Sequence, residues 1–151
     1  MALGATTYKT PNIITTIDSD MTSKEGCGVY LSGPNAVEIA SVAQAPPYAV
    51  IVTGTDSLTP GTYPSAIGDA ALELVDQLGC VVQVLISSNG GVVAGDGLVI
   101  DTTDQDGTFT AAVNQVSAVG DWVWGYALTD ANSSQQCLMR FQPAQVQYVA
   151  P

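Results

Sequence analysis

Asp101, Asp104, Asp106 and Gly107 form the densest group of carboxylates in this chain. Closely spaced carboxylates ahead of a glycine are what a calcium loop uses. Aligned so that Gly107 takes the invariant glycine position, the EF-hand pattern places Thr102 first and Val113 last, where a carboxylate ligand is required. The pattern fails at both ends, so the expected role is a turn between strands, with no metal. A second set, Asp69, Glu73 and Asp76, repeats at helical spacing, and paired acids are the apparatus of glycoside hydrolysis. On one exposed helical face they would be too well solvated for the raised pKa that the acid partner needs.

Nucleophilic and phosphate-directed chemistry finds still less support. Histidine is absent, and only Lys9, Lys24 and Arg140 are basic against fourteen carboxylates, a net charge of -11. General acid/base catalysis near neutral pH most often uses histidine, and nucleic-acid binding needs clustered Lys and Arg. There is no GxSxG, and Gly90, Gly91, Gly95 and Gly97 have neither dinucleotide-binding nor Walker spacing. Cys27, Cys80 and Cys137 lack a Cys-x-x-Cys pair and are expected to be buried reduced thiols. Asn132-Ser133-Ser134 matches a glycosylation sequon, without a secretory signal to give it meaning. Trp122, Trp124 and Tyr126, with Tyr48 and Tyr63, could instead stack on a sugar, or fill a core that Leu128 continues. No enzyme, no cofactor, no nucleic-acid partner and no membrane partner is expected.

The elements that position these residues read as short strands separated by Gly, Pro, Asn and Asp. Ile13, Thr15 and Ile17 alternate after Pro11 and Asn12. Val29 to Leu31 and Val37 to Val42 flank Ser32-Gly33-Pro34-Asn35, which is hairpin punctuation. Tyr48 to Thr53 reads as a strand buried on both faces. After a polar loop, Ile67, Ala71, Leu74, Val75 and Leu78 fall on one stripe of 3.6-residue period, with Ser65 to cap and Gly79 to terminate, which predicts a helix near residues 65–78.

Strands resume at Cys80 to Ile86, and Asn89-Gly90 predicts a hairpin leading into Leu98 to Ile100. Thr108 to Val113 follows another turn. In Trp122 to Leu128, alternation places Trp122, Trp124, Tyr126 and Leu128 on a large face. Val123, Gly125 and Ala127 form a small face that another backbone could approach closely. Cys137, Met139 and Phe141 alternate next, and Val146 and Tyr148 close the pattern. The expected fold is mainly β, a compact barrel or sandwich with one short helix. An extended arm is expected over residues 1–20, and a single β-rich domain over 21–151.

One stretch carries more. An apolar strand at Val81 to Ile86 is followed by a Gly-rich turn at Asn89 to Val93 and by Gly95-Asp96-Gly97-Leu98-Val99. An Asp-rich turn at Asp101 to Gly107 precedes Val119-Gly120-Asp121-Trp122-Val123-Trp124-Gly125-Tyr126-Ala127-Leu128, and Cys137 to Phe141 ends the series. From Val81 to Val146 the chain resembles the small bacteriophage head decoration, or capsid cement, proteins. The resemblance covers a little under half of the chain.

It implies a β-tulip-like or barrel domain sitting as a homotrimer on the outer surface of the capsid. There it would bridge subunits of the major capsid protein and stabilise the shell. A scarcity of Lys and Arg suits such a position, away from packaged DNA. Within this frame the extended segment from Thr6 to Ile17, with Tyr8, Pro11, Asn12 and Ile13, is expected to be either a capsid-clamping arm that adds main-chain hydrogen bonds to a neighbour's sheet edge or an edge strand of its own domain. Trp122, Trp124, Tyr126, Ile67, Ala71 and Leu74 are the expected subunit contacts. The competing reading is a carbohydrate-binding or host-surface-binding virion module.

Overall fold

The computed structural model describes residues 15–52, 66–68, 70–71, 74–116 and 118–148. Eleven strands and one turn of helix occur among them, divided between two sheets. The first sheet is built from β1 (Thr15–Ile17), β2 (Gly28–Gly33), β3 (Ala36–Ile39), β4 (Ala49–Ile51), β5 (Ala70–Ala71) and β6 (Leu74–Val75), in the order β5-β1-β3-β2-β4-β6. The second contains β7 (Val81–Leu85), β8 (Gly97–Ile100), β9 (Phe109–Ala111), β10 (Trp122–Ala127) and β11 (Gln136–Gln145), in the order β7-β11-β10-β8-β9.

Both sheets curl. In the second, β7 and β9 are opposite edges, yet Ile86 bridges Phe109 in parallel and the Ser87 N–H donates to the Phe109 carbonyl at 2.8 Å. That joins the edges and makes a five-stranded barrel. In the first, the edge strands β5 and β6 are consecutive in the chain. Ala71 and Leu74 can be no more than about 11 Å apart, so this sheet must wrap round until its edges nearly meet.

Alternation then divides the apolar residues into two cores. On β4 and β6, Val50 pairs with Val75 and Ile51 with Leu74. Val50 and Val75 face the barrel and join its core of Val82, Val84, Leu98, Phe109, Trp124 and Phe141. Ile51 and Leu74 face the other way, into a cluster with Ile17, Val29, Val37 and Ile39 that the first sheet wraps around. Between the layers there is room only for glycine at position 28. A Cβ there would lie 2.7 Å from Trp124 Cζ3 and 2.9 Å from Ile100 Cδ1.

The fold is mainly β with one short helix, as expected, but the helix is elsewhere. It is α1 (Ala112–Gln115), a single turn after β9. Near residues 65–78 the structure has β5 and β6 instead. Gly68 sits at φ +95°, outside helical space, and donates its N–H to the Ile17 carbonyl at 2.9 Å. Ile67 and Leu78, two members of the supposed buried stripe, are 76% and 75% exposed. Residues at helical spacing also satisfy two short strands, and pairing with β1 and β4 decides between the readings. Gly79 does take a left-handed φ of +83°, but in a turn into β7.

Turn punctuation fared better. The β2–β3 hairpin closes with Gly33 opposite Ala36, and β8 pairs with β9 across the Asp-rich turn. Asn89-Gly90 is a turn, but β7 pairs with β11 rather than with β8, so it does not make the expected hairpin.

Candidate functional site

Three places on the barrel gather polar or aromatic groups, and each is built by a loop or strand already named. The first is the Asp101 turn. The Asp101 side chain is fully buried, with 0% exposure. Its Oδ1 accepts from the Thr103 N–H at 2.7 Å and from Gln115 Nε2 at 3.1 Å, and its Oδ2 accepts from Asn89 Nδ2 at 2.9 Å. Asp104 accepts from the Ser88 N–H and hydroxyl at 3.0 Å. Burial pushes the Asp101 carboxyl up. The hydrogen bonds from Ser87, Asn89, Thr103 and Gln115 outweigh it and hold the group well below the usual carboxylate range. The sequence shows the turn but not this organising role, because a buried carboxylate is defined by donors from three separate segments.

Among the described residues no three His, Cys, Asp or Glu side chains converge as metal ligands. The lone pairs of Asp101 are spent on donors from its own turn, the Asn89 turn and α1, so the arrangement is a clamp holding β8, α1 and the Asn89 turn together. Since the folded pKa is depressed, the stabilisation is complete above the unfolded value near 4 and is lost as pH falls below it. Asp101→Ala is expected to cost about 3 kcal/mol by stranding these donors, and the slope of melting temperature against pH between 5 and 2 should flatten. An unchanged slope in this variant would show that other carboxylates set the acid limit.

The second place is an open cleft of about 320 Å³ between Gly91–Val93 and Asp130–Asn132, with Gln135. Its polar groups serve the backbone. Asp130 accepts from the Ala94 N–H at 2.8 Å, and Gln135 Oε1 from the Asn132 N–H at 3.2 Å. No nucleophile and base face each other across it. Cys27, Cys80 and Cys137 are buried and unbridged, as expected. Burial pushes the Cys27 thiol up to about 12 and Cys137 up to about 11, which leaves neither as a thiolate near neutral pH.

The third is β10 and the wall around it. The register of β10 and β11 breaks between the Val123–Ala144 and Gly125–Phe141 pairs, so Trp124 alone opposes Gln142 and Pro143. Such a bulge changes which way side chains point, and Pro143 occupies it because a ladder hydrogen bond is missing there. The expected single large face is therefore not found. Trp124 is 1% exposed in the core, edge-on to Phe109 at 5.5 Å and to Phe141 at 6.5 Å, whereas Tyr126 is 45% exposed outside. Trp122 is half-buried against the barrel core. Two tryptophans on one exposed sheet face, as a sugar platform would require, are not present.

Of the other residues singled out in the sequence, Ile67 is exposed and Leu74 packs half-buried against the first sheet's core. Ala71 lies in β5. Tyr8, Pro11, Asn12 and Ile13 lie outside the described residues, as do Asp69 and Glu73. Of the segment read as an arm, Thr15–Ile17 forms β1, which pairs in parallel with β3. Asp76, the third acid of the set at helical spacing, has its Oδ1 buried with no hydrogen-bond partner among the described residues. No helix among the described residues is long and apolar enough to cross a membrane.

No protein-family model matches this chain, and no curated protein matches it in sequence. A solved structure does match in fold. It is the N base of the head fiber protein gp8.5 of bacteriophage phi29, at a TM-score of 0.50 and 18% identity. The match covers 89% of this chain and 96% of that one. At such identity the likeness is one of fold.

Proposed function

We propose that this chain is a virion structural protein carried on the outer surface of a phage head, where it acts as a cement or decoration protein. The observation that carries the reading is the fold match to a head fiber base over nearly the full length of both chains. It is joined by the resemblance of Val81 to Val146 to capsid cement proteins, which rests on different evidence. The absence of any catalytic pair from the cleft and the turn among the described residues agrees with a role in binding rather than turnover. In this reading the protein bridges subunits of the major capsid protein, assembles as a homotrimer and stabilises the shell through many weak contacts. An exterior position also suits a net charge of -11, which is repelled by packaged DNA.

The test is cosedimentation of the purified protein with expanded heads of the parent phage that have been stripped of it. Binding, and heads that withstand higher temperature once decorated, are the expected results. Deleting residues 1–12 should abolish binding while leaving the melting curve cooperative, if the arm with Tyr8, Pro11 and Asn12 clamps the shell. A folded, intact protein that stays in the supernatant would sink the reading and favour the host-surface or carbohydrate-binding alternative.

A further inference from the structure

The five barrel strands of this acidic chain contain no Asp or Glu, and their one charged residue is Arg140. The outward face of an exposed antiparallel sheet ordinarily carries charge of both signs. Here the outer wall formed by β7, β11 and β10 shows amides and apolar groups. Tyr126 stands directly beside Arg140, and Leu138 beside Gln83. Gln83 Nε2 donates to Gln136 Oε1 on the neighbouring strand, which joins two amides across the β7–β11 seam. Inward positions of the same strand, Cys137, Met139 and Phe141, are at most 2% exposed, whereas Gln136, Arg140 and Tyr126 are open to solvent.

Arg140 donates through Nη1 to the Gly79 carbonyl at 3.2 Å, and among the described residues no carboxylate pairs with it. The guanidinium has further donors in a fixed fork suited to a carboxylate. Among the described residues the carboxylates lie outside the strands of this wall; Asp18, Asp20 and Asp130, for example, are exposed in loops.

We infer that the β7–β11–β10 wall is where a second copy of this chain docks, with Arg140 receiving a carboxylate from the acidic surface of its neighbour. Two copies each at -11 repel one another unless they meet where at least one of them shows no negative charge. This wall meets that condition, and its single cation supplies the complementary sign. A contact between the wall of one copy and an acidic surface of the next is heterologous, and a heterologous contact gives a ring where its rotation closes and a filament where it does not. The inference rests on the self-association contained in the proposed function and assigns the surface that performs it.

Sedimentation equilibrium of the full chain tests it. The wild type should run at a multiple of the 15.5 kDa monomer mass at high micromolar concentration. Arg140→Glu and Tyr126→Ser, both at exposed positions, should each raise the dissociation constant roughly tenfold or more with cooperative melting retained. Thr103→Glu, in the exposed turn away from the wall, should leave the mass unchanged. A monomeric wild type, or an oligomer indifferent to Arg140→Glu and Tyr126→Ser, would overturn the inference, as would equal disruption by Thr103→Glu. A monomer that still cosediments with heads removes the docking wall and leaves capsid binding standing. An oligomer that ignores heads does the reverse.

Discussion

Gly125→Ala is expected to melt roughly 10 °C below wild type. A Cβ at this position would overlap the Arg140 carbonyl oxygen and lie 2.9 Å from Met139 Cγ. The obstacle is backbone of the paired strand, which cannot rotate aside as a side chain tip could. To admit one methyl group, β10 and β11 must separate beside the bulge, at the pairs that join Gly125 to Phe141 and Tyr126 to Arg140. Overpacking against backbone in a strand interior belongs among the larger point-mutant effects, about 3 kcal/mol or more, or roughly 10 °C in melting temperature for a domain of this size. Gly97→Ala on the adjacent strand is the matched control. A Cβ there meets Ala112 and Val123 at 3.5 Å, an ordinary contact, so its melting temperature should stay within a few degrees of wild type. Equal melting of the two variants would show that the close approach at Gly125 is not required.

The second large effect is expected from Trp124→Ala. The indole lies at the meeting point of the layers, with Gly28 of the first sheet against it and Phe109 and Phe141 edge-on within the barrel. Removing it leaves a cavity bordered by strands from both sheets, which cannot collapse without moving one sheet toward the other. The cost should be about 3–5 kcal/mol. Fluorescence separates it from its neighbour, since Trp124 is buried and Trp122 half-buried. The variant should lose the blue-shifted part of the emission and melt some 10 °C or more below wild type. A loss of 1 kcal/mol or less in denaturant unfolding would mean that the layers are not keyed together through this side chain.

These two neighbours also show how far the sequence could be read. Gly125 was visible as a member of the small face, and the close backbone approach expected there is found. Trp124 was placed on one large face with Tyr126, to fill a core or to stack on a sugar; Trp124 does fill the core, but Tyr126 faces outward. The bulge that separates them lies on β11, at Gln142 and Pro143 across from Trp124, so alternation within β10 alone carries no sign of it. The same limit explains the missing helix. Ile67, Ala71, Leu74, Val75 and Leu78 have helical spacing, but Ala71 and Leu74 belong to opposite edges of one curled sheet. Only pairing with distant strands shows this. Turn chemistry was local and therefore legible, as at Pro34-Asn35 between β2 and β3, whereas strand order was not. Asn89-Gly90 turns the chain, yet the strand that follows it goes to β10 and β9 rather than to β7. The outer wall went unrecognised for a related reason. Its lack of carboxylates becomes a pattern once β7, β10 and β11 are known to stand side by side.

The place of β11 has a consequence for how the protein is made. This strand lies between β7 and β10, and it begins more than fifty residues after β7 starts, with Gln136 opposite Leu85 and Arg140 opposite Val81. Until residues near 145 have been synthesised, β7 has no partner on that side, and the ring of strands stays open however long the preceding segments have been available. Folding dominated by such distant pairings is slow. The barrel must then close after its last strand leaves the ribosome, and a nascent chain stalled before β11 would present apolar Val82 and Val84 to the cell.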